Sequence, residues 1–188
     1  MSKRALILID IQNDYFPGGG YTLSNVEAAA DNAGRLLAAA RAAGDLVVHI
    51  RHESLASNAA TFAPDTVGSE IHATVKPLDG EVVVTKHHVN AFRETKLKEI
   101  LDSNSVREVV ICGAMSHMCV DAATRAANDF GYTCTVVHDA CATRDQEFNG
   151  VQVPAAQVHA AFMAAFGFAY ASLVATDDFL ATKTEKAA

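Results

Sequence analysis

Asp10, Lys86 and Cys119 carry three functional groups that could work together. A thiolate is a strong nucleophile. A carboxylate beside it can take the thiol proton and return it to a leaving group. An ammonium close to both keeps anionic partners charged and fixes their geometry. That set suffices for acyl transfer through a thioester. Cys119 sits where a helical run opens, and the first N–H groups of a helix lack intrahelical partners. The partial positive charge there is expected to favour thiolate over thiol. The same N–H groups, with those of the preceding turn, could receive an oxyanion.

These residues do chemistry together only if the fold gathers them. Each sits at the end of an apolar run or just after one. Arg4–Asp10 is a continuous apolar run closing on Asp10, Glu81–Thr85 precedes Lys86, and Glu108–Cys112 leads through Gly113 to Cys119. Asp45–Arg51, Tyr132–His138 and Phe168–Ala175 complete six strands. Apolar throughout, they are expected to be buried on both faces. Between them the spacing predicts helices over about 25–43, 94–102, 119–130, 154–166 and 177–182. The first has a capping box in Ser24-Asn25-Val26-Glu27 and a stop at Gly44. Residues 52–80 form a long loop with a short turn near 67–73, and Asn149-Gly150 marks another loop. Alternating strands and helices point to an α/β fold: a doubly wound three-layer sandwich, with a mostly parallel six-stranded sheet and helices on both faces. The chain of 188 residues reads as one domain, 1–188. In such sheets ligands bind beyond the carboxyl ends of the strands, where strand order reverses.

Composition narrows the function. A net charge of −7 and the lack of a basic patch argue against a nucleic-acid partner. No apolar run reaches a membrane span, and Ala5–Ile9 is too short for a signal-peptide core. Cys112, Cys119, Cys134 and Cys141 show no C-x-x-C spacing and read as reduced thiols of a cytoplasmic protein. Only the tail, Thr182–Ala188, looks frayed. Asp10-Ile11-Gln12-Asn13-Asp14 stands where a dinucleotide binder would need G-x-G-x-x-G.

Three separated stretches also carry a family resemblance: Asp10-Ile11-Gln12-Asn13-Asp14-Tyr15-Phe16, Thr85-Lys86, and Gly113-Ala114-Met115-Ser116-His117-Met118-Cys119-Val120. Together they resemble the isochorismatase-like cysteine hydrolases, a superfamily that includes nicotinamidases, N-carbamoylsarcosine amidohydrolase, ureidoacrylate and biuret hydrolases, and streptothricin hydrolase. The resemblance implies Cys119 as nucleophile, Asp10 as general base and then acid, and Lys86 as the cationic third member. It implies a cis peptide between Ala114 and Met115, with the N–H groups of Met115 and Cys119 as oxyanion hole. The implied activity is hydrolysis of a C–N bond in a small amide, ureide or lactam. The alternatives are an ether-cleaving isochorismatase, which needs no cysteine, and a non-catalytic protein that keeps the fold. A homo-oligomer, dimer or tetramer, is implied as well.

Pocket walls are expected from Gln12, Tyr15, Phe16, His52, Asn90, Phe92 and His117. Phe62 and Phe92 read equally as core, and Asn90 and His117 as loop supports. Gln12 and Asn13 could orient Asp10 or cap the next loop, and Arg51 or Arg144 could meet a substrate carboxylate. Nicotinamidases hold a metal through an Asp-x-His pair after strand two. Here that place reads Arg51-His52-Glu53 and the Asp is missing, so no cofactor is expected to be required, although His52 and His72, with Glu53, could still hold a divalent ion.

Overall fold

The structure, a computed structural model, describes residues 4–185, with side chains to residue 182. In chain order the elements are β1 (Arg4–Ile9), α1 (Val26–Ala43), β2 (Leu46–His52), β3 (Val82–Lys86), α2 (Leu97–Ser103), β4 (Glu108–Ala114), α3 (Cys119–Asp129), β5 (Thr133–Ala142), β6 (Gln146–Phe148), β7 (Val151–Val153), α4 (Ala155–Ala169), β8 (Ser172–Val174) and α5 (Thr176–Glu185). Six strands form one sheet in the order β3-β2-β1-β4-β5-β8, with every neighbouring pair parallel. Helices pack as α1 with α5 and α3 with α4, covering both faces. This is the doubly wound α/β sandwich that the alternation of elements implies.

The core follows from the sequence. β1 is central, and Ala5, Leu6, Ile7, Leu8 and Ile9 are all buried. Each large side chain so buried contributes roughly 1.5–3 kcal/mol. α1 turns Ala29, Ala30, Ala33, Leu36, Leu37 and Ala40 inward at helical spacing. Gly44 ends α1 in the left-handed conformation (φ 67°), its N–H donating to the carbonyls of Ala40 and Arg41.

Several boundaries differ from expectation. Asn25 rather than Ser24 is the N-cap of α1, in a left-handed conformation with no side-chain cap bond, so no capping box forms. Ser24 is instead drawn to Thr143, just beyond β5, its N–H donating to Thr143 O at 2.8 Å. α2 begins at Leu97, three residues late, because Thr95 Oγ1 bonds back to Ala91 O at 2.6 Å. β4 and β5 run on to Ala114 and Ala142. Ile111 faces Val136 while Gly113 faces Cys141, so β5 bows out between them. Residues 146–153 form an antiparallel hairpin, β6–β7, around Asn149-Gly150 rather than a plain loop. The C-terminal residues 182–185 are helical, and the rest of the expected frayed tail lies outside the described residues. No helix among the described residues is long and apolar enough to cross a membrane.

Strand order reverses between β1 and β4. From β1 the chain winds outward through β2 to β3, then returns to β4 and winds the other way through β5 to β8. The carboxyl ends of β1 and β4 therefore border the crevice at which such sheets bind ligands.

Candidate active site

Asp10 follows the last residue of β1 with φ of 49°, a left-handed conformation that turns the chain out of the sheet. Its N–H still bonds Ile50 O at 3.1 Å. Lys86 closes β3, two strands away, and Cys119 opens α3. Asp10 and Lys86 are 0 % exposed and Cys119 is 7 % exposed. A lysine buried this completely is rare unless paired. Lys86 Nζ lies 2.8 Å from Asp10 Oδ2 and donates to Cys119 Sγ at 3.3 Å. It also donates to His88 O at 3.1 Å and meets His52 Nδ1 at 3.3 Å. One ammonium thus sits among four acceptors with three protons to share.

The electrostatics correct one expectation. Burial pushes the Cys119 thiol well up, Asp10 adds to this, and Lys86 only partly opposes it. Cys119 therefore rests as a thiol, and the helix start does not suffice to ionise it. Burial also raises Asp10 above the ordinary carboxylate range against the pull of Lys86, which makes it a stronger proton acceptor. Burial works against the Lys86 charge, but Asp10 and Cys119 together outweigh it and hold the ammonium protonated. Burial and Lys86 push His52 down to about 4. Its imidazole is neutral, and Nδ1 is an acceptor for Lys86.

The turn that delivers Cys119 is tightly bonded. Gly113 has φ of 124°, and a Cβ there would lie 2.0 Å from Ile9 O, so only glycine allows β4 to approach β1 this closely. The Ala114–Met115 peptide is cis. Ser116 N–H donates to Ala142 O at 2.9 Å, and Met118 and Val120 N–H donate to Met115 O at 3.0 and 3.2 Å. The N–H groups of Met115 and Cys119 take no part in these bonds.

The expected wall residues divide. Tyr15 is buried with its ring edge-on to Phe62 at 4.8 Å, and His52 packs on Phe62 at 5.8 Å. Burial first, and then the Asp10 carboxylate, push the Tyr15 phenol well up and keep it neutral. Tyr15, Phe62 and His52 therefore stand together beside the buried triad. Gln12 does not face a pocket. It is 0 % exposed, with Nε2 on His52 O and Ser69 O (2.8 and 2.7 Å) and Oε1 accepting from His52 N–H (2.7 Å). It clamps the end of β2 to the long loop, while Asn13 Nδ2 holds Val67 O at 2.8 Å. Phe16 stacks on His72 at 3.6 Å. Asn90 Oδ1 accepts from Phe92 N–H at 2.9 Å, and Phe92 packs against Phe130, at the far end of α3. His117 Nδ1 meets Thr143 Oγ1 at 2.6 Å, and its ring packs edge-on to Phe162 at 6.0 Å.

The metal candidates do not converge. His52 faces Lys86, whereas His72 Nδ1 meets Thr74 Oγ1 at 2.9 Å. Among the described residues no three His, Cys, Asp or Glu side chains are grouped to hold an ion. Of the two arginines, Arg51 pairs with Glu53 at 2.8 Å and Arg144 lies over the Tyr21 ring at 4.3 Å.

Two contacts have no sequence signal: the His88 carbonyl on Lys86, and a bond between Ser116 and His159 across 43 positions. Asp14 had a partial one, standing in the first motif. Its carboxylate accepts from Phe62 N–H at 2.5 Å, and a Cβ on Gly68 would lie 2.3 Å from its Oδ1. Asp14 thereby seats the loop that carries Phe62 beside the site.

A thiol, a carboxylate and an ammonium are buried together at the switch point of a doubly wound α/β sheet. The isochorismatase domain model matches residues 4–164. The chain belongs to the isochorismatase family of hydrolases. It is 48 % identical over 176 residues to the uncharacterized isochorismatase family protein YddQ of Bacillus subtilis, covering 94 % of this chain and 98 % of that protein. It is 33 % identical to the maleamate amidohydrolase of Pseudomonas putida, over 77 % of this chain and 75 % of that one. The crystal structure of an isochorismatase hydrolase from Oleispira antarctica superposes with a TM-score of 0.91 at 53 % identity, covering 95 % of this chain and 96 % of the other.

Proposed function

We propose that the chain is a cysteine hydrolase that cleaves a C–N bond of a small amide, ureide or lactam through a thioester on Cys119. The observation that carries this is the single buried ammonium, Lys86 Nζ, set between Asp10 Oδ2 at 2.8 Å and Cys119 Sγ at 3.3 Å. Asp10 removes the thiol proton as Sγ attacks the substrate carbonyl. The oxyanion rests on the N–H groups of Met115 and Cys119. The C–N bond breaks, and ammonia or an amine leaves with the proton that Asp10 holds. Water then attacks the thioester and gives a proton to Asp10, and the thiol is restored as the acid departs. Lys86 stays charged throughout and stabilises whichever of its two neighbours is the anion.

Similarity to a maleamate amidohydrolase supports C–N over ether cleavage, as does a cysteine in the site, since vinyl-ether cleavage needs no thiol nucleophile. The reading assigns no step to a metal, takes a small molecule as sole partner in the reaction, and expects a homo-oligomer, which sedimentation would size. The test is a panel of small amides, ureides and lactams assayed for ammonia or amine release. The wild type is expected to turn over at least one, and Cys119→Ala none. Full turnover by Cys119→Ala would sink the mechanism, and pyruvate release from isochorismate by that variant would favour the ether-cleaving alternative.

A further inference from the structure

The turn 115–119 has a second support that the triad does not use. Ser116 is fully buried. Its N–H and Oγ both point at Ala142 O, at 2.9 and 3.3 Å, and Oγ lies 2.8 Å from His159 Nδ1 on α4. A hydroxyl has one proton to give. The Ala142 carbonyl can only accept, so Ser116 Oγ–H donates to it, and both contacts are made when His159 Nδ1–H donates to Ser116 Oγ. The turn is therefore pinned at Ser116 from two sides, by β5 through the backbone and by α4 through a side chain. Ser116 lies between Met115 and Cys119, the two residues whose N–H groups would meet an oxyanion.

We propose that His159 is a positioning residue: through Ser116 it holds the Met115 and Cys119 N–H groups at the spacing that a tetrahedral oxyanion needs. The proposal rests on the cysteine-hydrolase reading above. His159 is half-buried and borders a groove lined by Asn25, His138, Asp139 and Ala155, so the strut runs from the reacting turn to an open surface. Burial, with His138 adding to it, pushes His159 below the ordinary imidazole range, which keeps the ring neutral at neutral pH. His159 touches no reacting atom. Its effect is confined to steps that build negative charge on the substrate oxygen.

That restriction supplies the test. p-Nitrophenyl acetate acylates a thiol through an oxyanion, transferring acetyl to Sγ and releasing p-nitrophenolate. Iodoacetamide alkylates the same sulfur by direct displacement of iodide, with no oxyanion. The two rates are measured at Cys119 in wild type, His159→Leu, His159→Asn and Ser116→Ala, with thermal melting to confirm folding. His159→Leu and Ser116→Ala are each expected to slow acylation by about tenfold, less than outright loss of an oxyanion donor because the donors shift and remain. Alkylation is expected to be unchanged. His159→Asn, which keeps a polar atom near the Nδ1 position, is expected to recover most of the rate, and the Leu/Ala double variant to be no slower than either single one. Equal slowing of both reactions, or acylation by His159→Leu at the wild-type rate, would overturn the proposal. A wild-type Cys119 that iodoacetamide labels but p-nitrophenyl acetate does not would instead remove the cysteine-hydrolase reading, and this proposal with it.

Discussion

β3 has a charged cluster at each end, and the two are built to opposite purposes. Glu81, just before the strand, is saturated. Its carboxylate takes Arg41 Nε and Nη2 at 2.7 and 2.8 Å, Leu78 N–H at 2.9 Å and His49 Nε2 at 3.0 Å. The Arg41 hydrogen bond leads these effects, and together they hold Glu81 down to about 2. Lys86, closing the strand, faces a carboxylate that is starved. No backbone N–H among the described residues reaches the Asp10 oxygens, and burial raises its pKa rather than lowering it. A saturated carboxylate holds its charge and cross-links the fold. A starved one beside a thiol remains ready to take a proton. The difference lies both in how many donors each receives and in burial, since Asp10 and Lys86 are fully buried while Arg41 and Glu81 are partly exposed.

Substitutions at the two ends should therefore fail in different ways. The largest expected effect is on Cys119→Ala, which loses turnover to background while its melting temperature stays close to wild type. Asp10→Asn keeps the shape and removes the base, so kcat should fall by about three orders of magnitude. Lys86→Met should cost both activity and stability, about 3–5 kcal/mol in denaturant unfolding, because it leaves Asp10 as a buried unpaired charge. If Asp10→Asn, Lys86→Met restored that stability without restoring turnover, the ion pair would be shown to serve the site rather than the fold.

pH separates the clusters further. Asp10 must be ionised to accept the thiol proton and its pKa is raised, so kcat should climb with pH through a midpoint above the ordinary carboxylate value of 3.8. An acid limb at or below that value would contradict the starved-carboxylate description. Glu81 behaves in the reverse sense. Its folded pKa is depressed from 4.5 to about 2, so its contribution to stability is present above 4.5 and is lost as pH falls through about 2. Glu81→Gln should therefore destabilise the protein at neutral pH by about 1–3 kcal/mol. The gap to wild type should close as the acid end is approached, with catalysis at neutral pH nearly unaffected.

Much of this was legible in the residues. Asp10, Lys86 and Cys119 declare themselves because each sits where an apolar run ends or a helix begins, and a parallel sheet gathers such points on one side. Their protonation was less legible. A cysteine at a helix start argues for thiolate, and only the burial of Cys119 beside Asp10 reverses that. The supports were hidden for another reason. Gln12 reads as either wall or support, and which partners it supports is set only when His52 and Ser69 arrive from distant segments to occupy its amide, as Ser116 meets His159 across 43 positions. No local pattern encodes those meetings. The β6–β7 hairpin is intermediate. Asn149-Gly150 is a strong hairpin turn, but Gln146-Glu147-Phe148 lacks the apolar alternation that marks a strand.

The most direct measurement is capture of the intermediate. Wild type and Asp10→Asn are mixed with a substrate found in the amide, ureide and lactam panel, quenched in acid within a turnover, and mapped by peptide mass. The expected result is the acyl group of that substrate on Cys119 and on no other cysteine, more of it in Asp10→Asn relative to its turnover, and none in Cys119→Ser. Turnover by the wild type with Cys119 unmodified at every quench time, together with undiminished hydrolysis by Cys119→Ser, would contradict the central claim.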